Sequence, residues 1–246
     1  MLLTVIPQAA ARPPGRRSDA GHVRLQQRDL DGLLLIADHY AAPYDLLAQA
    51  LAVPPARIRA VTARWRAAGY AASGMLGPGP AWCWLTPAGM TACGHPWPAR
   101  APSLSRLAHV RAVLAARLWL QGSPAWQQGS GWWRSERRIR SALPPPRVGT
   151  GEHVADAEVH WPSSPPGPHA GQVWAVEVEL TPKPAARTAR IMAGLLARPS
   201  YARVVYLCSP AARPVVTATA GQLPEAQRGR VAVRDLPPAA LLPRPR

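Results

Sequence analysis

Residues 172–183 read Gln-Val-Trp-Ala-Val-Glu-Val-Glu-Leu-Thr-Pro-Lys, which is the clearest β-strand pattern in the chain. Side chains alternate between the two faces of a strand, so Val176 and Val178 share one face while Glu177 and Glu179 share the other. Two carboxylates on one face of a strand repel each other unless a cation or an arginine lies between them. The pattern therefore predicts a strand with one apolar face and a charged site on its other face.

The segments on both sides of this strand also show helix and strand periodicity. The predicted elements, in chain order, are a helix over residues 103–121, a helix from Trp132 to before Pro144, strands over 153–161 and 172–180, a helix over 184–198, and strands over 203–208 and 231–233. The order helix, strand, strand, helix, strand is typical of an α/β core. We expect the helix over residues 103–121 to pack between this core and the first half of the chain.

The first half of the chain carries three predicted helices followed by two short strands. The first helix is capped by Asp29, the second covers residues 44–52, and the third covers residues 56–68 and ends at Gly69. The two strands surround a Gly/Pro-rich turn at residues 77–80. Three helices followed by a β-hairpin predict a winged helix-turn-helix, which is a DNA-binding arrangement.

The third helix has an apolar side and a basic side. Ile58, Val61 and Trp65 fall on one side at the helical period of 3.6 residues. The opposite side carries small residues, which let a helix approach a DNA groove closely, and arginines, which reach phosphates or guanine edges. These residues are Ala60, Ala63 and Ala67, with Arg57, Arg59, Arg64 and Arg66. We expect the four arginines to bind DNA; the alternative is a small helical domain whose charge reflects coding bias.

Two further features are similar to winged-helix proteins. Gln49 lies on the second helix and joins the candidate DNA-binding residues. The run Trp84-Leu-Thr-Pro-Ala-Gly89 resembles the exit of such proteins from the wing into another helix.

The composition is strongly basic and excludes several classes of protein. The 246 residues carry 29 Lys and Arg against 13 Asp and Glu, which gives a net charge of +16. Three cysteines are too few for a disulfide-stapled domain. No apolar run approaches the ~18 residues of a membrane span, and the first residues lack the pattern of a signal peptide. We therefore expect a cytoplasmic protein with no membrane association, whose partner is double-stranded DNA.

The acidic residues are unevenly distributed along the chain. None occurs between Asp45 and Glu136, whereas six of the 13 fall within residues 136–179. The chain has a single lysine, Lys183, which lies four residues after Glu179. A basic chain that concentrates its acids in this way indicates a metal site. The alternative is a solvated face that balances local arginines.

Residues 25–235 resemble the replication-relaxation family of actinobacterial plasmids and mobile elements. The matching motifs are Trp133-x-x-Glu136-Arg137, His153-Val-x-Asp156-Ala, Ala175-Val-Glu-Val-Glu-Leu-Thr-x-Lys183 and Val204-Val-Tyr-x-Cys208. The resemblance implies a role in plasmid replication and in the relaxation of plasmid DNA.

The same residues are similar to the PD-(D/E)xK nuclease fold. That resemblance implies that Glu136 is a helical acid of the site, that Asp156 and Glu177 bind Mg²⁺, and that a lysine orients the attacking water or neutralises the phosphate. The sequence departs from the pattern because Glu179 stands where the lysine is expected. Lys183 would then reach back to the site, which makes Glu136, Asp156, Glu177, Glu179 and Lys183 the candidate catalytic residues.

These features predict an α+β chain in which a winged helix-turn-helix precedes a restriction-endonuclease-like α/β domain. The expected boundaries are a disordered basic tail over residues 1–24, the winged helix over 25–95, a linker over 96–102, the nuclease-like domain over 103–235 and a Pro-rich tail over 236–246. Three functions stay open. The first is a Mg²⁺-dependent DNA endonuclease or nickase of a plasmid. The second is a non-catalytic regulator or replication initiator whose second domain forms a homodimer or binds a partner. The third is a basic protein that binds another protein.

Overall fold

A computed structural model describes residues 25–143, 153–164 and 167–241 of the chain. The predicted tail over residues 1–24 therefore lies outside the described residues, as do Glu152 and the last residues of the predicted C-terminal tail. The described residues combine helices with two β-sheets, which confirms the mixed α and β composition expected from the sequence.

The first half of the chain forms a compact unit of four helices and three short strands. In chain order these are α1 (Gln27–His39), β1 (Ala42–Pro43), α2 (Tyr44–Ala50), α3 (Pro55–Ala67), β2 (Ala71–Gly74), β3 (Trp82–Leu85) and α4 (Pro87–Ala92). Strand β3 lies in the middle of an antiparallel sheet, with Cys83 opposite Ala42 of β1 and Leu85 opposite Ala71 of β2.

Helix α1 starts earlier than the sequence predicts, so the expected cap by Asp29 is wrong. Gln26 is the N-cap residue, and Asp29 is the third helical residue, whose Oδ2 accepts a hydrogen bond of 3.0 Å from the Gln26 N–H. Asp29 is fully buried, and its Oδ1 accepts a hydrogen bond of 2.9 Å from Nε1 of Trp65. The carboxylate faces inward because α3 supplies polar partners that local sequence does not reveal.

The second half of the chain forms a larger sheet covered by helices. In chain order its elements are α5 (Leu107–Gln121), α6 (Pro124–Gly129), β4 (Trp132–Ser135), α7 (Glu136–Ser141), β5 (Ala157–His160), β6 (Val173–Glu179), α8 (Ala185–Leu196), β7 (Arg203–Cys208), α9 (Arg213–Gly221), α10 (Glu225–Arg228) and β8 (Val231–Asp235). Short 3-10 turns precede α5 at Leu104–Arg106 and follow β8 at Pro238–Ala240.

The five strands of this sheet lie in sequence order from β4 to β8. Strands β4, β5 and β6 pair antiparallel, whereas β6, β7 and β8 pair parallel. Val176 and Val178 share an apolar core with α5, and Ala175 shares a second core with Met192 of α8. Alternation along β6 therefore puts Glu177 and Glu179 on the face that α8 covers.

The segment that begins at Trp132 is a strand, so the helix predicted from this residue is wrong in its first turn. Trp133 and Ser135 point inward on β4, and Trp133 pairs with Val159 of β5. Ser135 ends the strand and caps α7 by accepting a hydrogen bond of 3.4 Å from the Arg138 N–H. Pairing with β5 overrides the helical tendency of this short run.

Helix α5 packs between the two halves of the chain, as the sequence predicts. It contacts α1, α2 and β1 on one side and β6 on the other. Arg111 is buried on α5 and forms a bidentate pair with Asp45 of α2, at 2.9 and 2.5 Å. Asp38 of α1 in turn accepts a hydrogen bond of 2.6 Å from Nε of Arg138 on α7.

Residues 96–102, predicted as a linker, form no helix or strand.

None of the helices within the described residues is long and apolar enough to cross a lipid bilayer.

Candidate functional site

The acidic residues singled out from the sequence meet at one end of the five-stranded sheet. Strand β6 ends at Glu179, while the antiparallel β5 begins just after Asp156. Strand β4 is antiparallel to β5, so its last residue and the following Glu136 lie at this same end. The backbone N–H of Glu136 donates a hydrogen bond of 3.0 Å to the carbonyl oxygen of Asp156.

Asp156 is fixed by hydrogen bonds to both of its carboxylate oxygens. Its Oδ2 accepts a hydrogen bond of 2.8 Å from the backbone N–H of Val178, the residue between the two glutamates of β6. Its Oδ1 lies 3.0 Å from Nε2 of His109 on α5. Burial lowers the pKa of His109, but the bond to Asp156 outweighs it and raises the pKa above its usual value. The carboxylate is thereby held toward β6.

Glu177 is the most deeply buried acid of this group, with 1 % of its surface exposed. Its Oε1 lies 2.9 Å from Nε2 of His153. Burial, followed by the negative charge of Asp156, raises the pKa of Glu177 to about 7. Glu177 therefore titrates near neutral pH, and its contact with His153 links the protonation of the two groups.

Glu179 is buried and forms an ion pair with Lys183, which follows β6. Among the described residues the lysine makes its hydrogen bond to Glu179, not to Glu177 or Asp156. Its positive charge nevertheless acts on the pKa of Glu177 and of His153, so the amine lies within electrostatic reach of the site.

Glu136 is turned toward arginines at the rim of the site. Its Oε1 accepts a hydrogen bond of 2.8 Å from Nε of Arg140, and its Oε2 accepts one of 3.4 Å from Arg106. A narrow cleft between the two halves of the chain joins Glu136, Asp156 and His109 to Tyr40 of the first half. Glu136 therefore adjoins Asp156 but is held by local ion pairs.

Glu158, another acid of the same cluster in the sequence, has a structural role. It is buried and bonds to Arg134 at 3.1 Å, His160 at 2.8 Å and the hydroxyl of Tyr201 at 2.8 Å. The alternative of acids that balance local arginines does not hold for the other three: among the described residues, Asp156, Glu177 and Glu179 pair with His109, His153 and Lys183.

Tyr206 and His109 also lie at the site: no sequence pattern indicated His109, and Tyr206 was noted only as part of the motif over residues 204–208. Tyr206 lies on β7 directly opposite Glu177, and its buried hydroxyl has no hydrogen-bond partner among the described residues. Burial, then the charges of Glu177 and Glu179, raise the pKa of this phenol far above its usual range. A buried hydroxyl without a hydrogen-bond partner lowers the stability of the fold. It therefore marks a place where a further polar group, such as a water, could be bound.

The donor chemistry near Asp156 and Glu177 suits Mg²⁺, which prefers carboxylate oxygens. The unpartnered oxygen of Tyr206 faces the same carboxylates. Within the described ranges, no three His, Cys, Asp or Glu side chains are grouped so that they could hold a metal ion by themselves. Asp156 and Glu177 are the carboxylates that could hold such an ion, and both are hydrogen-bonded in this structure, Asp156 to His109 and Val178 and Glu177 to His153.

The candidate DNA-binding residues lie on the surface of the first half, and of the four arginines only Arg64 has an ion-pair partner among the described residues. Arg57, Arg59 and Arg66 are exposed on α3 and have no hydrogen bond or ion pair with the rest of the described chain. Arg64 is also exposed, but its guanidinium bonds to Oδ1 of Asp29 at 2.6 Å. Gln49 of α2 is exposed as well.

No protein-family model and no curated protein matches the chain. Among solved structures, the chain is similar to an N,N-8-amino-8-demethyl-D-riboflavin dimethyltransferase from Streptomyces davawensis, with 20 % identity and a TM-score of 0.23. The match covers 85 % of this chain and 60 % of that protein's chain. A TM-score this low supports no statement about fold or activity.

Proposed function

We propose that the protein binds duplex DNA through α1–α3 and β1–β3, arranged as a winged helix-turn-helix. The order helix, strand, helix, helix, strand, strand and the antiparallel three-stranded sheet support this proposal. In this arrangement α3 is the recognition helix, and the hairpin of β2 and β3 is the wing.

The observation that carries the proposal is the set of unpaired arginines on α3. Arg57, Arg59 and Arg66 are exposed and have no partner among the described residues, and the surface between them is made of alanines. Free guanidinium groups on a narrow helix surface fit the phosphates and guanine edges of a DNA groove. Arg64 contributes a partly neutralised charge because it also pairs with Asp29.

Helix α3 is held in place before DNA binds. The indole of Trp65 is buried and bonds to Asp29 of α1, and Thr62 donates a hydrogen bond of 2.8 Å to the hydroxyl of Tyr44 on α2. A helix fixed by buried contacts to two neighbours loses little conformational entropy on binding.

Fluorescence anisotropy with a labelled duplex tests this function. The variant carries Arg57→Ala, Arg59→Ala and Arg66→Ala. A matched control carries Arg28→Ala, Arg100→Ala and Arg234→Ala, which removes three charges that also lack a partner among the described residues. We expect the α3 variant to reduce the slope of log affinity against log salt by about 3, because each phosphate contact contributes ~0.9. Equal effects of the two triple variants would show that α3 is not the contact surface.

A second candidate function is Mg²⁺-dependent cleavage of DNA at Asp156 and Glu177. It is favoured by the proximity of these two carboxylates at one end of the sheet, with the Tyr206 hydroxyl, unpartnered among the described residues, beside them. Asp156 and Glu177 would hold the ion, which would polarise the phosphodiester and lower the pKa of an attacking water. The Val178 N–H orients Asp156, the His153 imidazole orients Glu177, and Glu179 holds Lys183 at the rim.

A non-catalytic regulator or replication initiator is the alternative, favoured by the pairing of Lys183 with Glu179. Supercoiled plasmid incubated with Mg²⁺ or Mn²⁺ separates the two functions. We expect wild type to nick the plasmid, Asp156→Ala to abolish nicking, and Asp235→Ala, which removes an exposed acid, to leave it unchanged. If wild type and Asp156→Ala give the same topoisomer pattern while wild type still binds DNA, the site is degenerate.

Duplex binding together with this site fits the role that the resemblance to the replication-relaxation family implies, which is plasmid replication or relaxation in the cytoplasm. A homodimer belongs to the same proposal. Sedimentation of the protein with and without duplex DNA tests it, and a monomer in both conditions would contradict it.

A further inference from the structure

A second exposed surface carries unpaired arginines, and it lies on α8 rather than on α3. Arg187 and Arg190 are exposed on α8 and have no hydrogen bond, ion pair or ring contact with the described residues. The opposite side of the helix carries Met192 and Leu195, which are buried in the core against β7. Packing of this apolar side requires the two guanidinium groups to face solvent.

Most other arginines of the described chain are already held by a partner. Thirteen arginines have such a partner: Arg64, Arg106, Arg111, Arg117, Arg134, Arg138, Arg140 and Arg213 in ion pairs, Arg137, Arg198, Arg228 and Arg230 bonded to carbonyl oxygens, and Arg203 over the ring of Trp174. Among the described residues, those without a partner are Arg57, Arg59 and Arg66 on α3, Arg187 and Arg190 on α8, and Arg28, Arg100 and Arg234 elsewhere. Only α3 and α8 carry more than one of them, whereas Arg28, Arg100 and Arg234 lie on three different segments.

The position of α8 relates it to the carboxylate site. The helix begins two residues after Lys183, at the sheet end where β6 finishes, and Arg187 lies in its first turn. Helix α8 contains no carboxylate, and its exposed side between the arginines consists of small residues such as Ala186 and Ala193. A polyanion that reaches Asp156 and Glu177 therefore meets positive charge, not negative charge, on this side.

We propose that Arg187 and Arg190 of α8 form a second contact surface for the phosphodiester backbone of the DNA that α3 binds. Charge complementarity favours DNA as the ligand, because guanidinium groups without protein partners bind phosphate oxygens through paired hydrogen bonds. This surface would position the DNA backbone beside the end of the sheet, whether or not the site at Asp156 and Glu177 cleaves DNA. This inference rests on the proposed DNA binding by α3.

Salt-dependent anisotropy on the full chain tests the α8 surface with duplexes of increasing length. The variant carries Arg187→Ala and Arg190→Ala, and the matched control carries Arg28→Ala and Arg234→Ala. On long duplexes we expect the α8 variant to bind at least about tenfold more weakly at ~0.1 M salt, with a slope reduced by about 2. On the shortest duplexes that still bind, the loss should disappear, since they cannot reach α8 from α3. The control should behave as wild type on all lengths.

The outcomes separate this inference from the function on which it rests. If wild type binds DNA and the α8 variant keeps the wild-type slope on long duplexes, the α8 surface is not a DNA contact, although binding by α3 stands. If the α8 variant and the control weaken binding equally, only general charge is involved and the inference is overturned. If wild type binds no duplex, both proposals fail. Thermal unfolding of each variant, expected to match wild type because both arginines are exposed, verifies that the fold is intact.

Discussion

Nε2 of His153 lies 2.9 Å from Oε1 of Glu177, a carboxyl group with 1 % of its surface exposed. The histidine lies just before β5, and the glutamate lies on the neighbouring strand β6. The glutamate is shielded from water, whereas the histidine is partly exposed. The protonation of this buried pair therefore responds to the pH of the solvent.

This contact predicts that stability falls as pH rises. Burial and Asp156 raise the pKa of Glu177 from 4.5 to about 7, and the bond to Glu177 raises that of His153 despite the opposing effect of burial. A group with a raised pKa in the folded state stabilises the fold below its unfolded pKa and loses that contribution as pH rises through the folded value. The free energy of unfolding should therefore fall from pH 4.5 through about 7, by up to ~1.4 kcal/mol per pH unit for each extra bound proton.

Urea unfolding at a series of pH values measures this dependence. Glu177→Gln keeps the shape and removes the titration, so its curve should be flatter than that of wild type over the same range. Parallel curves for the two proteins would mean that Glu177 does not titrate in this window.

Replacing Tyr206 by Phe should not destabilise the protein in the absence of divalent cations. The hydroxyl is buried without a partner, so its removal relieves a desolvation cost and should raise the free energy of unfolding by about 1 kcal/mol. Chemical denaturation gives the value. A loss of more than about 1 kcal/mol would instead reveal a hydrogen bond, for example to an ordered water.

Replacing Asp29 by Ala should destabilise the first half strongly. The change leaves the buried indole N–H of Trp65 and the partly buried backbone N–H of Gln26 without acceptors. We expect a loss of about 3 kcal/mol. Asp31→Ala on the same helix is the matched control, since this exposed acid has a hydrogen bond to Gln27 alone among the described residues, and its effect should stay within ~0.5 kcal/mol. Similar losses for both variants in denaturant titrations would contradict a special role for Asp29.

Two glycine substitutions should have opposite effects on stability. A Cβ at Gly32 of α1 would lie 2.5 Å from Cη2 of the buried Trp65, so Gly32→Ala should cost about 1–3 kcal/mol through overpacking. A Cβ at Gly194 of α8 meets nothing within 4 Å, so Gly194→Ala should stabilise the helix by about 0.5–1 kcal/mol. Thermal unfolding of both variants shows the sign of each change, and a common sign would contradict the close packing of α1 against Trp65.

Periodicity in the sequence was enough to predict several elements closely. The third helix was expected at residues 56–68 and runs from Pro55 to Ala67, and the helix expected at 184–198 runs from Ala185 to Leu196. The alternation along β6 also correctly put Glu177 and Glu179 on one face. These predictions succeed because helix and strand periods are local properties of the chain.

The sequence failed where a distant segment decided the local structure. Trp132–Ser135 contains no strong strand pattern, and it is a strand because β5 pairs with it. His109 reaches Asp156 across 47 residues of sequence, and no local spacing indicates that contact. Lys183 was expected near Glu177 and Asp156, yet its hydrogen bond goes to Glu179.

The sequence by itself determined most of the helices and strands, which of their faces are apolar, and that several acids lie near the single lysine in the chain. Only the tertiary structure decided which charged groups have partners. Asp29 is bonded to Trp65 of α3, Glu177 to His153 and Asp156 to His109 of α5. Many arginines are bonded to carboxylates or carbonyl groups that are distant in the sequence, as Arg138 is to Asp38. The reason is that periodicity depends on neighbouring residues, whereas an ion pair or hydrogen bond depends on which remote segments pack together. The arginines left without partners on α3 and α8 could therefore be recognised only once the contacts of the other arginines were known.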